Sequence, residues 1–402
     1  MTIKRIREKY LYLYLFVILN FLGLSYNPEQ AYNLVRVLGV IVLLTALFFW
    51  NKKESDNFSS FVKFFAGYVV VEIFVSSFQY GTPIDIMFLF SISYATILSY
   101  FVFYKIDRER LVRIVCWMSS ITIAILTVQY FIYKYLGIEF LFKFSEIPTR
   151  MDVQRIYVGI YIFPFAFLIA LSRIITCLNT KTKIPLLYLF TAGLTLFDLY
   201  FFVMTRSFLI LILAVALIMI LLFLRNKYKI YFILSCAVLA YVSYYHLGLF
   251  DKYIEFSKSE DVSLSTRFAA INYYYNITMN ESPFLGFGFI KIDNNQLKGI
   301  LQGSNGEFFR EDVGIFGFFN NFGLIGLTWL CLLIYRMIKI VVNKYMDRSL
   351  KNHPEYLAIL LMFILCELTS INLINYDGIA SFVIILLLLN DSHRQRNTAV
   401  LA

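Results

Sequence analysis

Apolar residues fall in blocks of about twenty, separated by short breaks that are charged or rich in Pro, Gly and Asn. The blocks can be read at 10–26, 31–50, 58–78, 84–104, 111–135, 156–178, 184–204, 207–224, 228–247, 313–338, 356–374 and 377–390. A helix rising 1.5 Å per residue needs about 20 apolar residues to cross a bilayer core. The pattern therefore predicts an all-α integral membrane protein, one polytopic domain over 1–402 with about 12 transmembrane helices. The first block follows MTIKRIREKY, a basic start of the kind that opens signal peptides. It is long and no small-x-small cleavage site follows, so it reads as an uncleaved anchor. The tenth opens with GIFGFFNNFG, whose Asn pair and glycines set its first turns above the hydrocarbon.

Composition agrees: 60% of the 402 residues are apolar and 15% charged, with 42 Phe and 30 Tyr. That excludes a soluble enzyme, a disordered chain and a disulfide scaffold. The five cysteines form no CxxC pair and there are only three histidines, so no metal site is expected. The formal charge of +10 comes largely from inward loops. With the N-terminus inside, NKKESDN, KIDRERLVR, NTKTK, RNKYK, KIVVNKYMDRSLKNHPE and SHRQRN all face the cytoplasm. The outward turns NPEQ, QYGTP and NLINYD carry no Lys or Arg. Both termini are then cytoplasmic, and the charge meets anionic lipid rather than nucleic acid.

Two outward loops are long, 136–155 and 248–312. The second precedes the tenth span. Within it Phe268, Ile271, Tyr275 and Met279 recur at helical spacing after a candidate N-cap, Ser265, predicting an amphipathic helix on the outer leaflet.

Ionisable groups inside spans are costly and mark function by default. Glu72, Asp198 and Glu367 sit at similar depth in the outer half, with Arg36 and Gln129 nearer the outer ends. They line an outward-facing cavity, or else each makes its own interhelical hydrogen bond. Arg113, Arg173 and Arg336 lie near cytoplasmic ends, where snorkelling accounts for them. Arg206 stands in the short outward turn MTRSF, sharing a hairpin with Asp198. Arg267, Arg150, Arg155 and Arg310 also lie on the outer side. A guanidinium is permanently charged and forked to fit phosphate, so several at the outer leaflet suit a lipid pyrophosphate or ordinary anionic headgroups.

Three segments carry a resemblance. STRFAAINYYYNITMNESPFLGFGFI has an Arg opening a helix, then Pro-x-x-Gly-x-Gly, here Arg267, Pro283, Gly286 and Gly288. MTRSFLILILA has its arginine, Arg206, at a helix start, and EDVGIFGFFNNFGLIGL sets Asp312 eleven positions before Gly323. In this order they resemble the O-antigen and capsular polysaccharide polymerase family, within the O-antigen ligase-like superfamily. The resemblance implies a GT-C-like membrane glycosyltransferase of the bacterial cytoplasmic membrane, active on its outer face and needing no metal or other cofactor. It would pass a growing glycan from undecaprenyl pyrophosphate onto a lipid-linked repeat unit, with a separate chain-length regulator as partner. Arg206 and Arg267 would stabilise the leaving pyrophosphate, helped by Arg310. Asp312 would be the base, with Glu311 as its neighbouring substitute; Asp198 would orient Arg206, and Tyr274 with Tyr273 and Tyr275 would stack on sugar or anchor at the interface. Ligases of the group carry His where Asp312 stands, which favours a polymerase. The alternatives are a ligase acting on a non-carrier acceptor, and a flippase for the lipid-linked unit. The flippase calls for polar residues through the full depth and an internal repeat, neither of which the sequence has.

Overall fold

The computed structural model describes residues 3–18, 37, 41, 56–139, 149–150, 153–154, 159–203, 206–232, 234, 261–290, 295–303, 306–347, 349–369, 373 and 376–390. Over these the chain is helical apart from a small antiparallel ladder, Thr149–Arg150 against Val153–Gln154. Four helices are long and apolar enough to cross a membrane: α2 (Ser59–Tyr80), α5 (Arg108–Leu136), α6 (Phe163–Thr180) and α11 (Ile315–Met346). The shorter ones are α1 (Ile3–Ile18), α3 (Ile84–Ser91), α4 (Ser99–Phe103), α7 (Leu186–Asp198), α8 (Arg206–Phe223), α9 (Asp261–Glu281), α10 (Asn295–Gln302), α12 (Glu355–Thr369) and α13 (Tyr376–Leu389). The blocks expected at 31–50 and 228–247 lie almost wholly outside the described residues.

The block at 84–104 is not one helix. α3 gives way to a 3-10 stretch, Ile92–Leu98, before α4 resumes. Ser91, Ser93, Thr96 and Ser99 are all buried there. Ser91 donates to Met87 O at 2.8 Å and Thr96 to Ser93 O at 2.7 Å. Hydroxyls that take up backbone carbonyls loosen the α-helical ladder, which the apolar count alone cannot register. At the other end of the scale, α11 runs eight residues past its expected end at 338.

α12 lies centrally, packing on α6, α8, α11 and α13, while α7 lies against α5 and α6. An aromatic seam fixes α2 to α11: Phe65 stacks on Trp329 at 4.5 Å and meets Phe322 edge-on at 5.4 Å. At one end of the bundle Glu355, fully buried, binds Arg108 at 3.0 Å and Arg173 at 3.3 Å, and accepts from Ser172 at 2.6 Å. Arg173 also reaches Glu109 at 2.6 Å, and Arg108 donates to Leu388 O at 2.8 Å. Arg173 is therefore an ion-pair partner joining α6 to α5 and α12, its guanidinium held by two carboxylates within the protein.

Candidate functional site

The polar residues that the sequence singles out after position 260 lie on elements that pack on a broken helix, α11. Helical geometry fails at Gly323, which takes φ 59°, ψ −162°, a conformation essentially reserved for glycine. A broken helix leaves donors and acceptors exposed, and within a membrane these must be satisfied by protein. The segment 283–288 does this from both sides. Phe287 N donates to Asn320 O and Gly288 N to Asn321 O, each at 2.8 Å, closing the upper half-helix. Leu324 N donates to Pro283 O at 2.8 Å and Ile325 N to Phe284 O at 3.1 Å, closing the lower half. From α2, Tyr68 donates to Phe322 O at 2.6 Å and Tyr80 to Phe287 O at 2.8 Å. Two motifs noticed separately in sequence, Pro-x-x-Gly-x-Gly and Asp-x10-Gly, are thus two faces of one backbone joint.

Gly288 shows how close that joint is. A Cβ there would stand 2.2 Å from Ser76 Oγ and 2.6 Å from Glu72 Oε2. Glu72 is fully buried on the α2 face that receives the loop, and Phe289 N donates to Ser76 Oγ at 3.0 Å. Glu367, also buried, lies at the α12 end that touches Gly314. Glu72 therefore borders the joint itself, while Glu367 meets α11 at its first residues through its main chain. The third intramembrane acid, Asp198, is buried at the end of α7 on the α5–α6 side, whereas the turn Arg310–Val313 packs on α9, α11 and α12.

That 3-10 turn carries three candidate residues pointing two ways. Glu311 and Asp312 are exposed. Arg310 is 8% exposed and turns inward, giving Nη1 to Asn321 Oδ1 at 2.7 Å and to Gly288 O at 3.2 Å. Burial draws its guanidinium below the ordinary value, against the pull of the phenols of Tyr274, Tyr80, Tyr94 and Tyr273.

α9 begins at Asp261, ahead of the expected cap at Ser265. Phe268, Tyr275 and Met279 are exposed along one stripe, and Ala270, Tyr274 and Thr278 are buried along another. Tyr274 and Ala270 form a small core with Val313. Tyr274 is fully buried, donates to Leu301 O at 2.5 Å and lies edge-on to Tyr273 at 5.4 Å. Burial raises its phenol well above the ordinary range. Its ring is therefore part of the packing, not a platform open to a sugar. Arg267 is half-buried, one turn before Ala270 and two before Tyr274, on the stripe that meets the 310–313 turn. Arg206 opens α8, and its side chain, like Arg36 and Arg155, lies outside the described residues.

Beside the joint, α2 and the lower half of α11 enclose an apolar groove of 650 Å³ lined by Phe61, Phe64, Leu324, Trp329 and Leu332, with Phe284 of the docked loop at its edge. Among the described residues no cluster of His, Cys, Asp and Glu has the makings of a metal site. No family model matches the chain, and neither does any curated protein.

Proposed function

We propose that this protein is a surface-polysaccharide polymerase of the outer face of a bacterial cytoplasmic membrane, using glycan donors linked to undecaprenyl pyrophosphate. The observation that carries the reading is the joint at Gly323. Two of the three family-like motifs meet there, and the turn bearing Asp312 and the helix bearing Arg267 pack on the same assembly.

In this reading the acceptor is a hydroxyl at the non-reducing end of a lipid-linked repeat unit. Its oxygen attacks the anomeric carbon of the growing chain as the bond to pyrophosphate breaks. The bonding pair leaves with the pyrophosphate oxygen, and the hydroxyl proton passes to Asp312, or to Glu311 beside it. Arg206 and Arg267 offset the charge that develops on the pyrophosphate; preset cations of this kind are the largest single contribution in many such sites. Arg310 and Tyr274 act from behind, holding the turn and α9 in register. The isoprenoid tail lies along the groove beside Phe284, which opens from the same loop. Asp198 orients Arg206 within their hairpin.

The test is the purified chain in lipid vesicles with an undecaprenyl-pyrophosphate-linked repeat unit, products being resolved on a gel. A ladder of repeats, lost in both Arg206→Ala and Arg267→Ala, is expected. A ladder that needs finished polymer and a different acceptor makes the protein a ligase. Movement of the unit between leaflets with no joining removes the enzyme reading altogether.

A further inference from the structure

Arg310 poses a charge problem that its neighbours do not solve. A guanidinium cannot shed its proton to escape burial, and an uncompensated buried cation is among the costliest features a fold can hold. The Nη1 atom is accounted for by Gly288 O and Asn321 Oδ1. Nε and Nη2, on the adjoining edge, are buried and meet no acceptor in the protein. Asn321 has given its oxygen to Arg310, and its Nδ2 is buried without an acceptor as well. Three buried donors thus stand around one guanidinium.

Among the described residues no carboxylate pairs with Arg310. Glu311 and Asp312, next in the chain, are exposed. The Glu72 carboxylate lies against the Cα of Gly288, and no hydrogen bond or ion pair joins it to Arg310. Of the phenols around Arg310, three donate to main chain: Tyr80 to Phe287 O, Tyr273 to Gly299 O and Tyr274 to Leu301 O.

We propose that the Nε–Nη2 edge of Arg310, together with Asn321 Nδ2, binds a small monovalent anion, chloride in the cell. An anion meets both needs of this edge, hydrogen-bond acceptance and charge, whereas water would meet only the first. The depth of Arg310 selects a halide over a lipid headgroup or a sugar phosphate. The ion neutralises the joint where the 310–313 turn, the 283–288 loop and the Gly323 break meet. The proposal stands independently of the polymerase reading.

The experiment follows thermal unfolding of the purified full-length protein in detergent, in sodium chloride, sodium bromide or sodium gluconate at equal ionic strength. A ligand that binds only the folded state raises the midpoint with its concentration. Chloride and bromide are expected to raise it saturably by several degrees over gluconate. Arg310→Met should abolish that difference and Glu72→Gln should keep it. If Arg310→Met does not fold, radiolabelled chloride retained by the parent protein after desalting, near one per chain and displaced by bromide, supports the site. Equal midpoints in all three salts with no retained label overturn it. So does a halide effect that arises only in Glu72→Gln, because Glu72 would then be the counter-charge.

Discussion

Replacing Gly323 by Ala tests whether the joint is a true two-sided dock. The backbone at 323 has φ 59°, ψ −162°. Holding a residue with a Cβ there costs roughly 1–3 kcal/mol in backbone strain. The new methyl would also stand 2.3 Å from Phe284 O and 2.5 Å from Gly286 N, main-chain atoms that cannot rotate aside. Relief requires the loop to draw back by about 1 Å, since contacts settle near 3.5 Å. That retreat breaks Leu324 N to Pro283 O and Ile325 N to Phe284 O. Each buried group so orphaned costs roughly 1–3 kcal/mol. Allowing for partial relaxation, the sum is about 3–6 kcal/mol, a large share of the stability of any domain. Gly67→Ala in α2 and Gly193→Ala in α7 are the controls, because nothing lies within 4 Å of a Cβ at either position. Both should be neutral or stabilising by up to ~1 kcal/mol. Thermal unfolding in detergent can be followed by the fluorescence of Trp329, which stacks on Phe65 beside the break. An unchanged midpoint for Gly323→Ala, or equal losses in the controls, would refute the docked-loop account.

Three further outcomes are expected. Gly288→Ala should destabilise, and Ser76→Ala in the same chain should recover part of the loss; a double-mutant cycle with coupling below about 0.5 kcal/mol would deny the contact. Glu355→Ala strands Arg108 and Arg173 and should cost about 3–5 kcal/mol, read as a lower unfolding midpoint, with a parent-like midpoint counting against the buried network. Asp312→Asn, at an exposed position, should leave the midpoint alone while lowering repeat addition by roughly 100- to 10,000-fold; undiminished ladders would remove Asp312 as the base.

Much of the helical plan was legible because apolar block length is a property of local sequence. α5 against 111–135, α8 against 207–224 and α13 against 377–390 agree within a few residues. Interruptions were less legible. Ser91 and Thr96 look innocuous in an apolar window, yet their hydroxyls take up main-chain carbonyls where the ladder passes into 3-10 geometry. The break at Gly323 had a local signal in Asn320, Asn321 and the glycine itself. That the glycine takes a positive φ depends on a loop some forty residues upstream, which no window contains. The inward face of Arg310 was hidden for a related reason: in sequence it is one more charge beside Glu311 and Asp312. Arg108 was legible only as a member of a basic segment, since its partner Glu355 is 247 positions away.

That separation bears on when the fold can close. Arg108 is made 247 residues before Glu355, the fully buried carboxylate that binds it. At ~5–20 residues per second the wait is roughly 10–50 s, with Arg173 waiting nearly as long. Through that interval neither cation has its buried partner, and the carboxylate at hand for both is the more exposed Glu109 of α5. α5 and α6 are thus made early but stay unlatched from α12 until Glu355 comes between Arg108 and Arg173. A chain truncated before Glu355 therefore lacks the carboxylate that ties α5 and α6 to α12, and it should be cut more readily by membrane proteases than one carried through α12 and α13.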